Sequence, residues 1–245
     1  MESAPIKAEE TPVEAEPELS ETGQALNEAT AHYLQAPIHE REGAQRDLRT
    51  AVEASRAADA LDEVAASVNV LLLQGDGDAD AKDLADELMD DYVLARMVVL
   101  LGCVRDGEER EALIQAYAKL GVPVANPMAD ALTKTEDRLA RKTYVAALGA
   151  LGLAGTQAAE TMLQDSRWFV FRNGVAVIGV VGGQSAIEPL MDSLANEHTE
   201  VRRETVRSLA KIGGDNAASL VLDMLADKDG KVRVAAACPV SALKV

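Results

Sequence analysis

Between Ile187 and Asn196 the apolar residues Ile187, Leu190, Met191 and Leu194 fall at i, i+3, i+4 and i+7, the spacing of one helical face. The polar run Glu197, His198, Thr199 and Glu200 interrupts them. Val201, Thr205, Val206, Leu209 and Ile212 then trace a second apolar face. Gly213-Gly214 follows where a helix needs a left-handed stop. The unit predicted is a helical hairpin with arms of roughly 10 and 14 residues.

That pattern returns every 31 residues from Tyr92 to Val245, as four columns. Leu101, Leu132, Leu163, Leu194 and Leu225 form the first, and Leu139, Val170, Val201 and Val232 the second. Arg110, Arg141, Arg172 and Arg203 form the third, and Gly121, Gly152, Gly183 and Gly214 the fourth. Periods of this length mark repeat architectures. One hairpin cannot bury both of its apolar faces, so about five units are expected to stack into an all-α solenoid.

The pattern L-x-D-x-x-x-x-V-R-x-x-x-x-x-L-x-x-I-G, read from Leu194 to Gly213 with Asn196 at the Asp position, resembles HEAT-like repeats of the phycobilisome-lyase (E-Z) type. Leu163–Gly182 carries it with Asp165 and Val170, and Leu225–Val232 opens it again with Asp227. The resemblance implies a right-handed α-α superhelix, a HEAT/armadillo-like solenoid whose second helices line the concave face. It implies less about activity, because such repeats occur in lyase subunits, hydroxylases and plain interaction proteins.

The chain ahead of the array divides in two. Residues 1–21, rich in Glu, Pro and Ala, are expected to form a disordered acidic tail. Residues 22–91 are helical in pattern but out of the 31-residue register, and read as a helical cap or degenerate repeats. One helix carries Leu26, Ala29, Tyr33 and Leu34 and ends at Pro37. A second carries Leu48, Val52 and Ala58–Leu61. A third carries Val64, Val68, Leu71 and Leu72, and an acidic helix over 80–91 leads into the array.

Charge changes the picture through its placement. The net charge of −17 is concentrated in residues 1–22 and 76–91, while residues 92–245 hold 18 acids and 18 bases. An array that is neutral on average offers no basic stripe for phosphates, so no nucleic-acid partner is expected. No apolar run spans a bilayer and no signal peptide is evident, so no membrane partner and a cytoplasmic address are expected. Cys103 and Cys238 lie far apart in helical pattern and read as buried reduced thiols.

Asp76, Asp78, Asp80 and Glu87 occupy positions 1, 3, 5 and 12 of a calcium loop, but Ala81 stands where the sharp turn wants Gly. An acidic linker that caps the next helix explains the same residues. HEAT-repeat deoxyhypusine hydroxylases hold two irons with repeated His-Glu pairs; here only His39-Glu40 has that order, outside the repeats. No catalytic constellation, metal or cofactor is expected.

The sharpest functional signal is aromatic. Trp168, Phe169 and Phe171, the only Trp and both Phe of the chain, cluster at an inter-helix turn that other units keep mostly polar. With Ala176, Val177 and Val180, and with Val145 and Ala146 one unit earlier, they predict an apolar patch of the kind that anchors a partner. A cover of N-terminal helices or a homodimer contact would bury the same residues. Arg141, Arg172 and Arg203, with Asp137 and Asp165, are expected to form inter-repeat ion pairs. Pro239 is expected to break or kink the last helix. The resulting expectation is a non-enzymatic scaffold or adaptor for a protein partner of unknown identity. The alternative is a phycobilin-lyase-like subunit of an enzyme complex.

Overall fold

The computed structural model describes residues 20–74 and 77–240, the last two by backbone alone, and every regular element among them is helical. The chain parts into two compact units, residues 1–60 and 61–245. None of the described helices is long and apolar enough to cross a membrane. The acidic segment 1–19 lies outside the described residues.

The first unit is a hairpin of α1 (Glu21–Gln35) and α2 (Arg41–Ala57). Ser20 caps α1 by accepting from the Gly23 amide at 3.0 Å, so helix begins inside the expected 1–21 tail. Leu26 and Tyr33 of α1 and Leu48 and Val52 of α2 are buried. The second helix stops at Ala57 rather than running on to Leu61, and Asp59 takes a positive φ of 59° in the turn.

The second unit opens with α3 (Leu61–Gln74) and α4 (Ala79–Leu88). Five hairpins follow: α5 (Asp91–Cys103) with α6 (Gly107–Leu120), and α7 (Val122–Lys134) with α8 (Arg138–Ala150). Next come α9 (Leu153–Met162) with α10 (Trp168–Val181), and α11 (Ile187–Met191, flanked by 3-10 turns) with α12 (Thr199–Ile212). The last pairs α13 (Gly214–Asp223) with α14 (Gly230–Val240). Helix α3 packs on α5 and α6, Arg96 of α5 is ion-paired with Asp62, and the Tyr117 hydroxyl donates to Asn69 at 2.7 Å in the core. Burial pushes the Tyr117 phenol well above its ordinary pKa. Thus α3 and α4 belong with the array, and the chain divides near residue 60 rather than at 91.

Second helices pack on second helices in series, α6 to α8 to α10 to α12 to α14. The glycines opening α7, α9 and α13 (Gly121, Gly152, Gly213) have φ of 69°, 57° and 69°, a conformation that side chains resist. The result is an α-solenoid of the HEAT/armadillo-like kind.

The hairpins are not evenly spaced. Thr135, Asp165, Asn196 and Asp227 play one role, accepting the amide two residues on at 3.2, 2.8, 2.9 and 2.7 Å. They are separated by 30, then 31 and 31 residues. One residue is therefore missing between the second and third hairpins, and a uniform 31-residue count slips from there on. One residue turns a helical side chain by about 100°. The buried column is accordingly Leu101, Leu132, Met162, Ser193 and Met224, while Leu225, in the expected column, is 40% exposed. At the C-terminal end α14 runs one residue past Pro239. The course of the chain beyond Val240, where the expected break or kink would show, lies outside the described residues.

Candidate functional site

Helix α10 is apolar over most of its length because it is enclosed by α7, α8, α9 and α12. Its narrow free stripe runs Phe169, Arg172, Ala176 and Val180; Phe169 is 36% and Val180 45% exposed, and Arg172 and Ala176 are half-buried. Val177 is fully buried, which removes it from the expected partner patch and makes it core. The enclosure depends on small residues: the Ser208 hydroxyl donates to the Val175 carbonyl at 3.0 Å, and a Cβ on Gly179 would stand 2.8 Å from the Ser208 Cα.

At the N-terminal end of that stripe the aromatic rings form an ordered cluster. Trp168 meets Phe169 edge-on (6.0 Å, 88°) and stacks on His198 of the next hairpin (5.5 Å, 25°). The Arg172 guanidinium lies 5.7 Å from the Trp168 ring and that of Arg167 5.7 Å from the Phe169 ring, within cation–π reach. Arg167 is held in turn by Asp165 at 2.9 and 2.7 Å. Those bonds, with the Arg167 amide, depress the Asp165 carboxyl to a pKa of about 2. Asp165 is therefore an ion pair within its own turn and not the expected inter-repeat partner.

Phe171 does not belong to this cluster. Arg110, Arg141, Arg202 and Arg233, each the fourth residue of its helix, donate to carbonyls six and five residues upstream at 2.8–3.5 Å. Phe171 is the fourth residue of α10, so it fills the place of a turn-capping arginine and is half-buried. This corrects the arginine column too. Arg141 caps its own turn, whereas Arg172 and Arg203 stand one residue further along and face the groove described next. The inter-repeat pairs are instead Arg202–Asp227, buried on both sides (2.8 and 3.0 Å), and Arg105–Asp137 (3.2 Å). Asp137 also caps α8, accepting from the Ala140 amide at 2.7 Å, and that bond is the main cause of its lowered pKa.

A groove of about 790 Å³ runs across α8, α10 and α12, with Val145, Ala146, Ala176 and Val180 among its apolar lining. Its charged lining is Arg138, Arg141, Lys142, Arg172, Arg203, Arg207 and Lys211 against Glu204 alone. A neighbouring hollow of about 580 Å³ continues it towards α14, shares Arg203, Arg207 and Lys211, and adds Lys231. The charge separation extends through the last three hairpins and α8, but not to α6, which carries Glu108, Glu109 and Glu111 against Arg110 and Lys119. The second helices α8, α10, α12 and α14 carry ten Lys or Arg against Glu200 and Glu204. First helices α9, α11 and α13 with their flanking 3-10 turns carry acids and no base. The array is neutral as a sum and polarised by face, which overturns the inference that it has no basic stripe. A count per helix rather than per segment would have found this.

Lys142, Arg172 and Arg203 are each the fifth residue of α8, α10 and α12 and form a ladder of cations across three hairpins. Among the described residues, none of the three, nor Arg138 or Lys211, is in an ion pair; Arg207 reaches Glu204 at 3.5 Å. Arg172 bonds the Asn173 side chain at 2.7 Å, and Asn173 donates to the Leu132 carbonyl at 3.2 Å. Partial burial and the like charges of Arg141 and Arg203 lower the Arg172 pKa, against the opposing influence of Glu204 and Glu200.

The expected calcium loop is not built. Residues 79–88 are helix α4, Asp78 is its cap through the Ala81 amide (3.2 Å), and Asp80 and Glu87 lie on that helix; Asp76 is outside the described residues. Among the described residues no cluster of His, Cys, Asp or Glu has the form of a metal site. Cys103 and Cys238 are exposed rather than buried.

Fold and groove together define an α-solenoid with one polarised face. Residues 157–242 match the family profile of HEAT repeats. A search of curated proteins finds no match. Among solved structures, a designed armadillo repeat protein, YIII(Dq.V1)4CPAF in complex with the peptide (KR)4, is 17% identical, with 92% of this chain and 100% of that chain covered and a TM-score of 0.39. Human deoxyhypusine hydroxylase in complex with glycerol is 16% identical, with 90% and 96% covered and a TM-score of 0.38. None of these likenesses bears on function.

Proposed function

We propose that this protein is a non-catalytic interaction scaffold that binds a partner protein along the second-helix face of its array. The observation that carries the reading is the groove across α8, α10 and α12, where unpaired cations border an apolar floor with the exposed edge of Val180, while Phe169 lines an adjoining hollow that shares Arg141 and Arg172 with it. Rigid aromatic and apolar groups beside charge are what interface anchors require: burial supplies affinity, and the flanking charge supplies orientation and on-rate. The rings are held in place before binding by Arg167, Arg172 and His198, which lowers the entropic cost of association.

The test is capture from native lysate with wild-type chain beside a Phe169→Ser/Val180→Ser variant of unchanged helicity, followed by cross-linking of the recovered complex. The reading requires one protein enriched by wild type, lost by the variant, and cross-linked to α8, α10 or α12. A partner recovered equally by both baits, with cross-links elsewhere, would sink it. The phycobilisome-lyase resemblance supplies the rival, an enzyme subunit. An absorbing cofactor that co-purifies with the protein would favour that rival.

A further inference from the structure

We infer that the groove across α8, α10 and α12 takes an extended acidic peptide, with a carboxylate at about every third residue set against the ladder of Lys142, Arg172 and Arg203. The inference deepens the scaffold reading and rests on it. Helices packed side by side lie roughly 8–10 Å apart, and an extended or polyproline-like chain advances about 3.1–3.3 Å per residue. Successive cations one hairpin apart are therefore matched by acids three residues apart, which a polyproline-like chain presents along one side.

Charge complementarity chooses the occupant. The ladder cations lack carboxylate partners within the described chain, and Glu204 only partly offsets Arg207. Partial burial, and then the neighbouring Arg141 and Arg203, disfavour the charged form of Arg172, a cost that an incoming anion would offset. A peptide is favoured over a nucleic acid on two grounds. The floor between the cations is aliphatic, made by Val145, Ala146, Ala176 and Val180, and accepts the small apolar side chains between acids. The chain as a whole carries −17, which repels a long uniform polyanion more strongly than a short segment with one charge per hairpin.

The experiment is fluorescence anisotropy on the full chain with labelled peptides repeating Glu-Pro-Ala or Lys-Pro-Ala, and with labelled oligothymidylate. The Glu-Pro-Ala peptide is expected to bind, to weaken as salt rises, and to weaken roughly tenfold in Arg207→Glu/Lys211→Glu, whose exposed side chains leave the fold intact. Arg203→Glu should act in the same direction. Preference for the Lys-Pro-Ala peptide, binding of oligothymidylate in place of the acidic peptide, or a salt-sensitive dimer lost in these variants would each overturn the inference. If the lysate partner cross-links to the groove while the acidic peptide fails to bind, only the peptide chemistry is wrong. If the peptide binds but no protein is captured there, the scaffold reading is the one that fails.

Discussion

Arg202 and Phe171 hold the same place in successive hairpins, the fourth residue of the second helix, yet do different physical work. Arg202 caps its own turn and reaches Asp227 in the next hairpin with both side chains over nine-tenths buried. Arg202→Met strands that carboxylate and should lower unfolding stability by about 3 kcal/mol, read as a drop in denaturation midpoint. Phe171→Arg restores the residue found in the other hairpins and should be tolerated, with little change in Tm and none in groove binding. Val177→Ala, in contrast, should cost about 2 kcal/mol by opening a core cavity, again without a selective effect on binding. Asp165 yields a pH prediction. Its folded pKa of about 2 lies below the ordinary carboxylate value near 3.9. Its contribution is therefore whole above that ordinary value and lost as pH falls towards 2. NMR titration of the Asp165 carboxyl and the Phe169 ring should show one transition near the lower value.

At the scale of the helix, α10 was legible in part. Its run of apolar residues and the aromatic cluster at its start stand out in the sequence, and the five-hairpin order with its glycine stops follows from periodicity. The faces did not follow, because a helical side chain's direction depends on register, and the single residue missing between the second and third hairpins lies where α9 is short and carries no marker. Leu163, Leu194 and Leu225 resemble Leu132 in type but not in direction. The same slip placed Arg172 and Arg203 in a structural column when they face the groove. A prediction belongs to the contact of α10 with α12. Gly179→Ala drives a methyl into Ser208, including its backbone, and should cost about 1–3 kcal/mol while leaving α1 and α2 unaffected.

Across the second unit, each hairpin packs on its neighbours, so stability is expected to grade along the array. Helix α10, enclosed by four others, should show the slowest amide exchange and α14, covered from one side, faster exchange. A uniform exchange profile would contradict nearest-neighbour stacking. Polarity also emerges only at this scale. From α8 onward, acids on the first helices and bases on the second cancel in a sum along the chain, and they separate only once the hairpins stack.

The glycines with positive φ that open the first helices have a consequence for protein engineering. Gly152 and Gly213 each mark where one module ends, and Gly182, with φ of −85° and the positive-φ Gly183 beside it, holds the same place between them; the three are natural splice points, at steps of 30 and 31 residues. Duplicating the segment from Gly182 to Ile212 would add one more copy of Arg203 in phase with the first, lengthening the recognised peptide by about three residues. Cutting by a fixed count of 31 from Gly121 would instead rotate every later face away from its neighbour.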